Sequence, residues 1–344
     1  MFYNIPKSRY IKGFHWVGER LSYPDKKIAS DTWPMTWAAD DKIYASGGDS
    51  VWGEAQSGLD VQTFSGGPED YTITKYNPMK DYLGWGGNGP KPTGMICVDG
   101  VLYLAFQNYF PGGRTPYSNQ SQSGCDAHII RCVPRWNQWY PSFASIGKPM
   151  FPGYHFGGPT FINYGKNNEN ARDGYVYAVS SDQWDNGSNI RLGRVPNDRI
   201  TDIKYWEFVC TFERDGAPVW TRDLEDAIPI LNVYKHMSLP EMVYLAGIKR
   251  YLFLTWHLKE DFNPDKGSDL LILESPEPWG PFSLVHYEEY WESRVLNPYN
   301  PRVPLKWMSP DGKTGWMQFS SSWSFQWEAK EFSRSHVRQF RIEV

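Results

Sequence analysis

Two aspartates, Asp31 and Asp49, are the residues of this chain whose type and placing could do chemistry. They lie toward the two ends of a stretch, 30–53, that reads as a β-hairpin: aromatic and small residues run up to Asp40-Asp41, and Lys42-Ile43-Tyr44-Ala45-Ser46 runs back. Two carboxyls at one hairpin mouth can divide acid and base work. One protonates a departing sugar oxygen and the other activates water, with about 6.5–9.5 Å between them in inverting enzymes. Trp33, Trp37 and Trp52 flank the pair and offer ring faces to a sugar. If the loop is Ala39-Asp40-Asp41, Asp31 and Asp49 are a direct cross-strand pair, their Cβ atoms roughly 5 Å apart. If it is Asp40-Asp41 alone, Asp31 faces Ser50 and the acids point to opposite faces. Both registers stay open.

The elements that must position this hairpin are short strands, because long helical periodicity is missing. Strand, tight turn and second strand recur around Asp40-Asp41, Asp99-Gly100, Asp173-Gly174, Ala246-Gly247 and Asp311-Gly312. Five such hairpins, each with room for two more strands, predict a single-domain five-bladed β-propeller over 1–344. A β-sandwich is the alternative, but its strands recur every 8–12 residues without a five-fold theme. Outer strands are expected at 127–133, 190–196, 206–209 and 270–285. Residues 10–19 are expected to pair with the final strand at 336–344 and remove an open sheet edge. Polar loops at 54–90, 107–126, 164–173 and 257–268 are long enough to wall a groove.

In a propeller the first strand of each blade lines the axis, so residues near the start of those strands converge. They are Asp31, Trp33, His155, Glu241, Lys306 and Trp307. Glu241 is a third candidate catalytic carboxylate, or a buried partner of Lys306 or His155. His155 could bind a sugar hydroxyl or orient an acid. Trp33 and Trp307 are the expected stacking platforms, with core packing as the alternative, and Trp37 joins them. Gly47-Gly48 is read as backbone that a substrate approaches closely. Asp40, Asp41, Asp99, Asp173 and Asp311 read as turn residues, and Arg191 and Arg194 as structural.

Composition narrows the partner. Aromatics make up 17% of the 344 residues, with 17 Trp, which suits carbohydrate faces as well as cores. Net charge is −4 with no basic run, which argues against nucleic acid, and no run of 18 apolar residues predicts a membrane span. The start of the chain lacks the pattern of a signal peptide. A secreted or periplasmic protein without its leader is expected, or a cytoplasmic one. The four cysteines fit neither a disulfide scaffold nor a zinc spacing; buried thiols are expected, with a Cys125–Cys132 bridge as the alternative. No metal site or cofactor is expected.

The chain resembles the DUF4185 group of five-bladed propellers, which includes a glycoside hydrolase family of endo-D-arabinanases. The likeness is carried by 31–40, by Tyr44 and Gly47-Gly48-Asp49, by Phe156-Gly-Gly-Pro-Thr-Phe-Ile-Asn-Tyr-Gly165, and by Tyr175-Val-Tyr. It continues in 192–200, Arg250-Tyr-Leu, Pro278-Trp-Gly-Pro-Phe282 and Lys306-Trp-Met-Ser-Pro-Asp-Gly312. The resemblance implies cleavage by inversion, with Asp31 and Asp49 at the two acid positions. Substrate does not follow from fold. A lyase acting on uronates, with His155, Lys306 and tyrosines as its groups, and a non-catalytic sugar-binding propeller are the rival readings.

Overall fold

The computed structural model describes all residues except 1–3, 24–28, 53–54, 84–88, 109–125, 154, 261–262, 264–265, 293–297 and 322–334. The described chain is all-β, with only single-turn 3-10 segments besides strands. Cys125, the Trp52 side chain and most of the expected 107–126 loop lie outside the described residues.

The aspartate-bearing hairpin is one ribbon bent across its middle. Its lower half joins β3 (Met35–Trp37), β4 (Ile43–Ala45), β7 (Val61–Ser65) and β8 (Thr72–Asn77) in that order. Its upper half joins β2 (Ala29–Asp31), β5 (Gly48–Trp52) and β6 (Ala55–Leu59). The breaks fall together at Thr32–Pro34, Ser46–Gly47 and Asp60, bridged by Ser46 N to Pro34 O and Asp60 N to Gly47 O, both 3.0 Å. Three strands of the expected 54–90 loop are therefore sheet.

The second sheet is β9 (Lys91–Val98), β10 (Val101–Gln107), β11 (Ala127–Val133) and β12 (Gln138–Tyr140). Its first hairpin turns at Asp99-Gly100 with φ of 50° and 75°, as a two-residue turn of that hand requires. The third runs β13 (Pro159–Phe161), β14 (Tyr175–Ser181), β15 (Gly187–Pro196), β16 (Glu207–Phe212) and β17 (Pro218–Thr221), with β18 (Leu231–Met237) on β15. The fourth is β19 (Glu241–Leu245), β20 (Arg250–Leu258), β21 (Ser268–Ser275) and β22 (Ser283–Glu288). The last combines β23 (Tyr299–Arg302), β24 (Thr314–Ser320) and β25 (Ser335–Glu343) with β1 (Gly13–Ser22) from the other end of the chain. Phe14 faces Ile342 and Trp16 faces Phe340, the pairing of first and last strands that alternating apolar residues predict.

Apolar runs such as Leu102-Tyr-Leu-Ala-Phe are buried on both faces because each sheet packs on two neighbours. One cluster joins Tyr44 and Val61 to Met95 and Leu104; another joins Ile96 to Val176. Val179 meets Met242, and Leu252 meets Met317. The last sheet returns to the first through Val337 and Trp307 against Met35 and Phe64. First strands converge on the buried Asn163, whose carboxamide accepts from Thr36 Oγ1 (2.8 Å) and donates to Met95 O (3.0 Å), while its carbonyl accepts from Tyr244 N.

Two expectations about elements are corrected. Lys306-Trp307 does not begin the inner strand of the last sheet; Leu305–Trp307 is a 3-10 turn after β23. The link between β13 and β14 is not a tight turn at Asp173-Gly174 but runs through a 3-10 turn, Lys166–Asn168. Cys97 and Cys132 are buried free thiols and Cys210 is a partly buried one.

Candidate active site

The bend of the first ribbon sets the geometry of the two aspartates. Below it, Met35 pairs with Ala45 and Trp37 with Ile43, the register of the three-residue loop. Above it, Ala29 keeps that register with Val51, but Asp31 pairs with Gly48. A bulge therefore intervenes, and Asp49 is the displaced residue, with φ of 47°. Neither register open in the sequence describes the pair fully.

A buried polar network fixes this bend. Asp60, with no exposed surface, accepts from Gly47 N (3.0 Å) and Ser50 Oγ. Gln62 Nε2 donates to Asp60 and to Ser30 Oγ (2.6 Å), and Gln62 Oε1 accepts the Trp33 indole N–H (3.0 Å). The space each glycine leaves is taken by the protein itself, by that network at Gly47 and by Asp31 and Thr32 at Gly48. A Cβ on Gly47 would sit 2.7 Å from both Asp60 Oδ1 and Gln62 Nε2, and one on Gly48 2.8 Å from Asp31 Oδ1.

The acids diverge to different sheets. Asp31 Oδ2 accepts from Tyr299 Oη at 2.8 Å, at the start of β23. Asp49 Oδ1 takes the ammonium of Lys91, the first residue of β9, which is itself 1% exposed. Both acids are nearly enclosed, at 6% and 7% exposure. Each thus sits where the first strand of a neighbouring sheet begins.

Glu241 is buried one step away. Its carboxylate accepts from Arg302 Nη1 at 2.9 Å, and Arg302 also donates to Pro240 O and, through Nε, to Thr32 O (3.1 Å). Burial pushes Glu241 up to about 7, against the opposing pull of the guanidinium. Its partner is neither Lys306 nor His155, and its reach to the acids is through Arg302 and the backbone beside Asp31.

The remaining expected residues are not assembled there. Trp33 is 1% exposed and packs edge-on against Phe64, and Trp307 packs on Tyr71 with ring centroids 5.5 Å apart. As placed, both are core side chains rather than stacking platforms. Trp37 and Lys306 meet at the opposite end of β3, where the Trp37 indole and the Lys306 ammonium both donate to Asp41. Lys306 foremost, then the indole, holds the Asp41 carboxyl down to about 2. Trp37 there lines a small, partly open pocket with Met35, Ile43, Asn163, Val303 and Leu305. His155 docks on a lateral turn, its Nδ1 3.1 Å from Leu224 O.

Lys91, Tyr299, Arg302, Asp60 and Gln62 went unread in the sequence. The signal for two of them is a cation among prolines, Pro90-Lys91-Pro92 at the start of the apolar strand β9 and Pro301-Arg302-Val303-Pro304 at the end of β23. Among the described residues no group of three His, Cys, Asp or Glu side chains could hold a metal ion, and no helix is long and apolar enough to cross a membrane.

No protein-family model matches the chain, and no curated protein matches it. Solved structures do. A Bacteroides ovatus protein provisionally described as a hydrolase superposes with a TM-score of 0.55 at 14% identity, over 98% of this chain and 94% of its own. The α-L-arabinofuranosidase of Podospora anserina, solved with cellotriose, gives 0.53 at 9% identity over 99% and 98%. A xylan β-1,4-xylosidase of Bacillus halodurans gives 0.52 at 12% over 98% of this chain but 56% of that enzyme, so the chain spans about half its length. At such identities the likeness establishes the fold, an all-β, propeller-like one.

Proposed function

We propose that this chain is a glycoside hydrolase that cleaves a polysaccharide by inversion, with Asp31 and Asp49 as its proton-exchanging pair. In this reading its five sheets of four or more strands are the blades of a single five-bladed propeller. The observation that carries the proposal is the divergence of the two acids from one bent ribbon, Asp31 toward Tyr299 and Asp49 onto Lys91. Two carboxyls pulled to different sheets leave room between them for water, which inversion requires. Asp49, carrying an ammonium on its oxygen, fits the base that activates water. Asp31, hydrogen-bonded to a neutral phenol, fits the acid that protonates the leaving oxygen. Arg302, itself held by Glu241, donates to the Thr32 carbonyl and so positions Asp31.

The sequence likeness to endo-D-arabinanases favours a D-arabinan-like furanoside polymer cut internally. Arabinofuranosidase and xylosidase activities among the structural neighbours favour a pentose-containing glycan. The lyase reading loses two of its groups, since His155 binds Leu224 O and Lys306 binds Asp41; Tyr299 stays beside Asp31.

The test is a panel of pentose- and uronate-containing polysaccharides, followed for new reducing ends and for the ultraviolet band of an unsaturated product. New reducing ends without that band are expected from a pentose polymer. The band would identify a lyase, and binding without any product a lectin.

A further inference from the structure

Two side chains beside the acids have polar atoms that nothing in the protein satisfies. Gln107, the last residue of β10, pairs across the sheet with Lys91, whose ammonium is on Asp49. Asn108 follows it in a left-handed conformation, φ 59°. Each is 1% exposed, yet both carboxamide oxygens and both carboxamide nitrogens lack a hydrogen-bond partner. Buried amides are almost always paired, so four unmatched atoms in two consecutive residues mark a place where pairing comes from outside. On the Asp31 side, Thr32 Oγ1 and Asn300 Nδ2 are likewise buried and unmatched.

We propose that Gln107 and Asn108 form a sugar-binding subsite for a neutral unit with vicinal hydroxyls. This rests on the glycoside hydrolase reading of the same mouth. A carboxamide offers one acceptor and two donors, and a hydroxyl both gives and takes, so paired amides match a vicinal diol. They match a carboxylate poorly, and the charge of each cation at hand is already balanced, Lys91 by Asp49 and Arg302 by Glu241, with Arg302 Nη2 left as one more unmatched donor on the Asp31 side. Gln107 Oε1 faces Gly158, just before β13, at 3.6 Å from where a Cβ would stand, and meets only backbone without a side chain there.

The test uses Asp31→Asn protein, which keeps substrate intact, and calorimetric titration with short arabino- and xylo-oligosaccharides. A fully 2,3-di-O-methylated arabinoside and oligogalacturonate are the control probes. Gln107→Met keeps the volume and removes two of the four unmatched atoms. It is expected to raise the melting temperature while weakening oligosaccharide binding at least tenfold, with the methylated and acidic probes bound poorly by both proteins. Unchanged affinity in Gln107→Met would overturn the subsite and leave the hydrolase reading standing, as would preferential binding of oligogalacturonate by the parent. If the parent binds no neutral oligosaccharide, the subsite falls together with that reading.

Discussion

Lys91 and Asp49 belong to different sheets, and their ion pair ties the bulge of the first ribbon to the opening residue of the second sheet's inner strand. Both partners are buried, so the pair is a fixed part of the site rather than a surface contact. Removing one member of a buried pair leaves an uncompensated charge at a cost of about 3–5 kcal/mol. Lys91→Met should therefore lower the melting temperature and reduce turnover at least tenfold. Adding Asp49→Asn to it should restore stability without restoring turnover, as thermal unfolding and rate measured side by side would reveal.

Gly48 leaves space that Asp31 occupies. A methyl at that position would lie 2.8 Å from Asp31 Oδ1, closer than real Cβ contacts allow, and a tight 3.0 Å from Thr32 Oγ1. Gly48→Ala is expected to push the carboxyl off Tyr299 and cost roughly 10²-fold in turnover, the scale of a misplaced acid–base group. Substrate affinity should change much less, and a kcat/KM loss residing entirely in KM would contradict this.

Trp33 separates what the sequence reads from what packing decides. An indole beside an acid looks the same whether it faces a sugar or the core, and only the bend turns it onto Phe64 and Gln62. Trp33→Ala should cost about 3–5 kcal/mol of stability, the usual toll for emptying a buried aromatic site. A melting temperature within a degree or two of the parent, with weakened glycan binding, would return Trp33 to the substrate.

Glu241 gives the stability a pH dependence of known sign. Its carboxyl rises from 4.5 to about 7 on folding, chiefly through burial. A carboxyl raised on folding contributes stability that is full below about 4.5 and is lost as pH rises through about 7. At about 1.4 kcal/mol per pH unit of displacement, the change is on the order of 3 kcal/mol. Denaturant titrations at pH 5 and pH 8 should show this component in the parent and its loss in Glu241→Gln. Equal pH profiles for the two proteins would contradict it.

The hairpins and the pairing of the chain's two ends were legible because their causes are local: apolar alternation, and turn residues such as Asp99-Gly100 that supply left-handed backbone. The first ribbon was half legible. Its turn at Asp40-Asp41 was legible with two registers open, but the shift that puts Asp31 opposite Gly48 depends on Asp60 at the β6–β7 break and Gln62 on β7, which carry no motif. Long-range pairing also hid the partners of the acids. Tyr299 reaches Asp31 across almost the whole chain, and Lys306, expected beside the acids, follows Asp41 to the opposite end of β3.

The central claim, that Asp31 and Asp49 exchange the protons of glycoside cleavage, is tested most directly by the turnover of Asp31→Asn and Asp49→Asn. Each should be measured on the natural polymer and on an aryl glycoside whose leaving group needs no proton. An amide keeps the size and most hydrogen bonds of the acid, so both variants should fold and both should lose at least 10²-fold on the polymer. Asp31→Asn should recover much of its rate on the aryl glycoside, because only the acid step is relieved, whereas Asp49→Asn should stay slow. Near-parental turnover of both variants on the polymer, beside an inactive Glu241→Gln, would contradict the account and move the acid to β19.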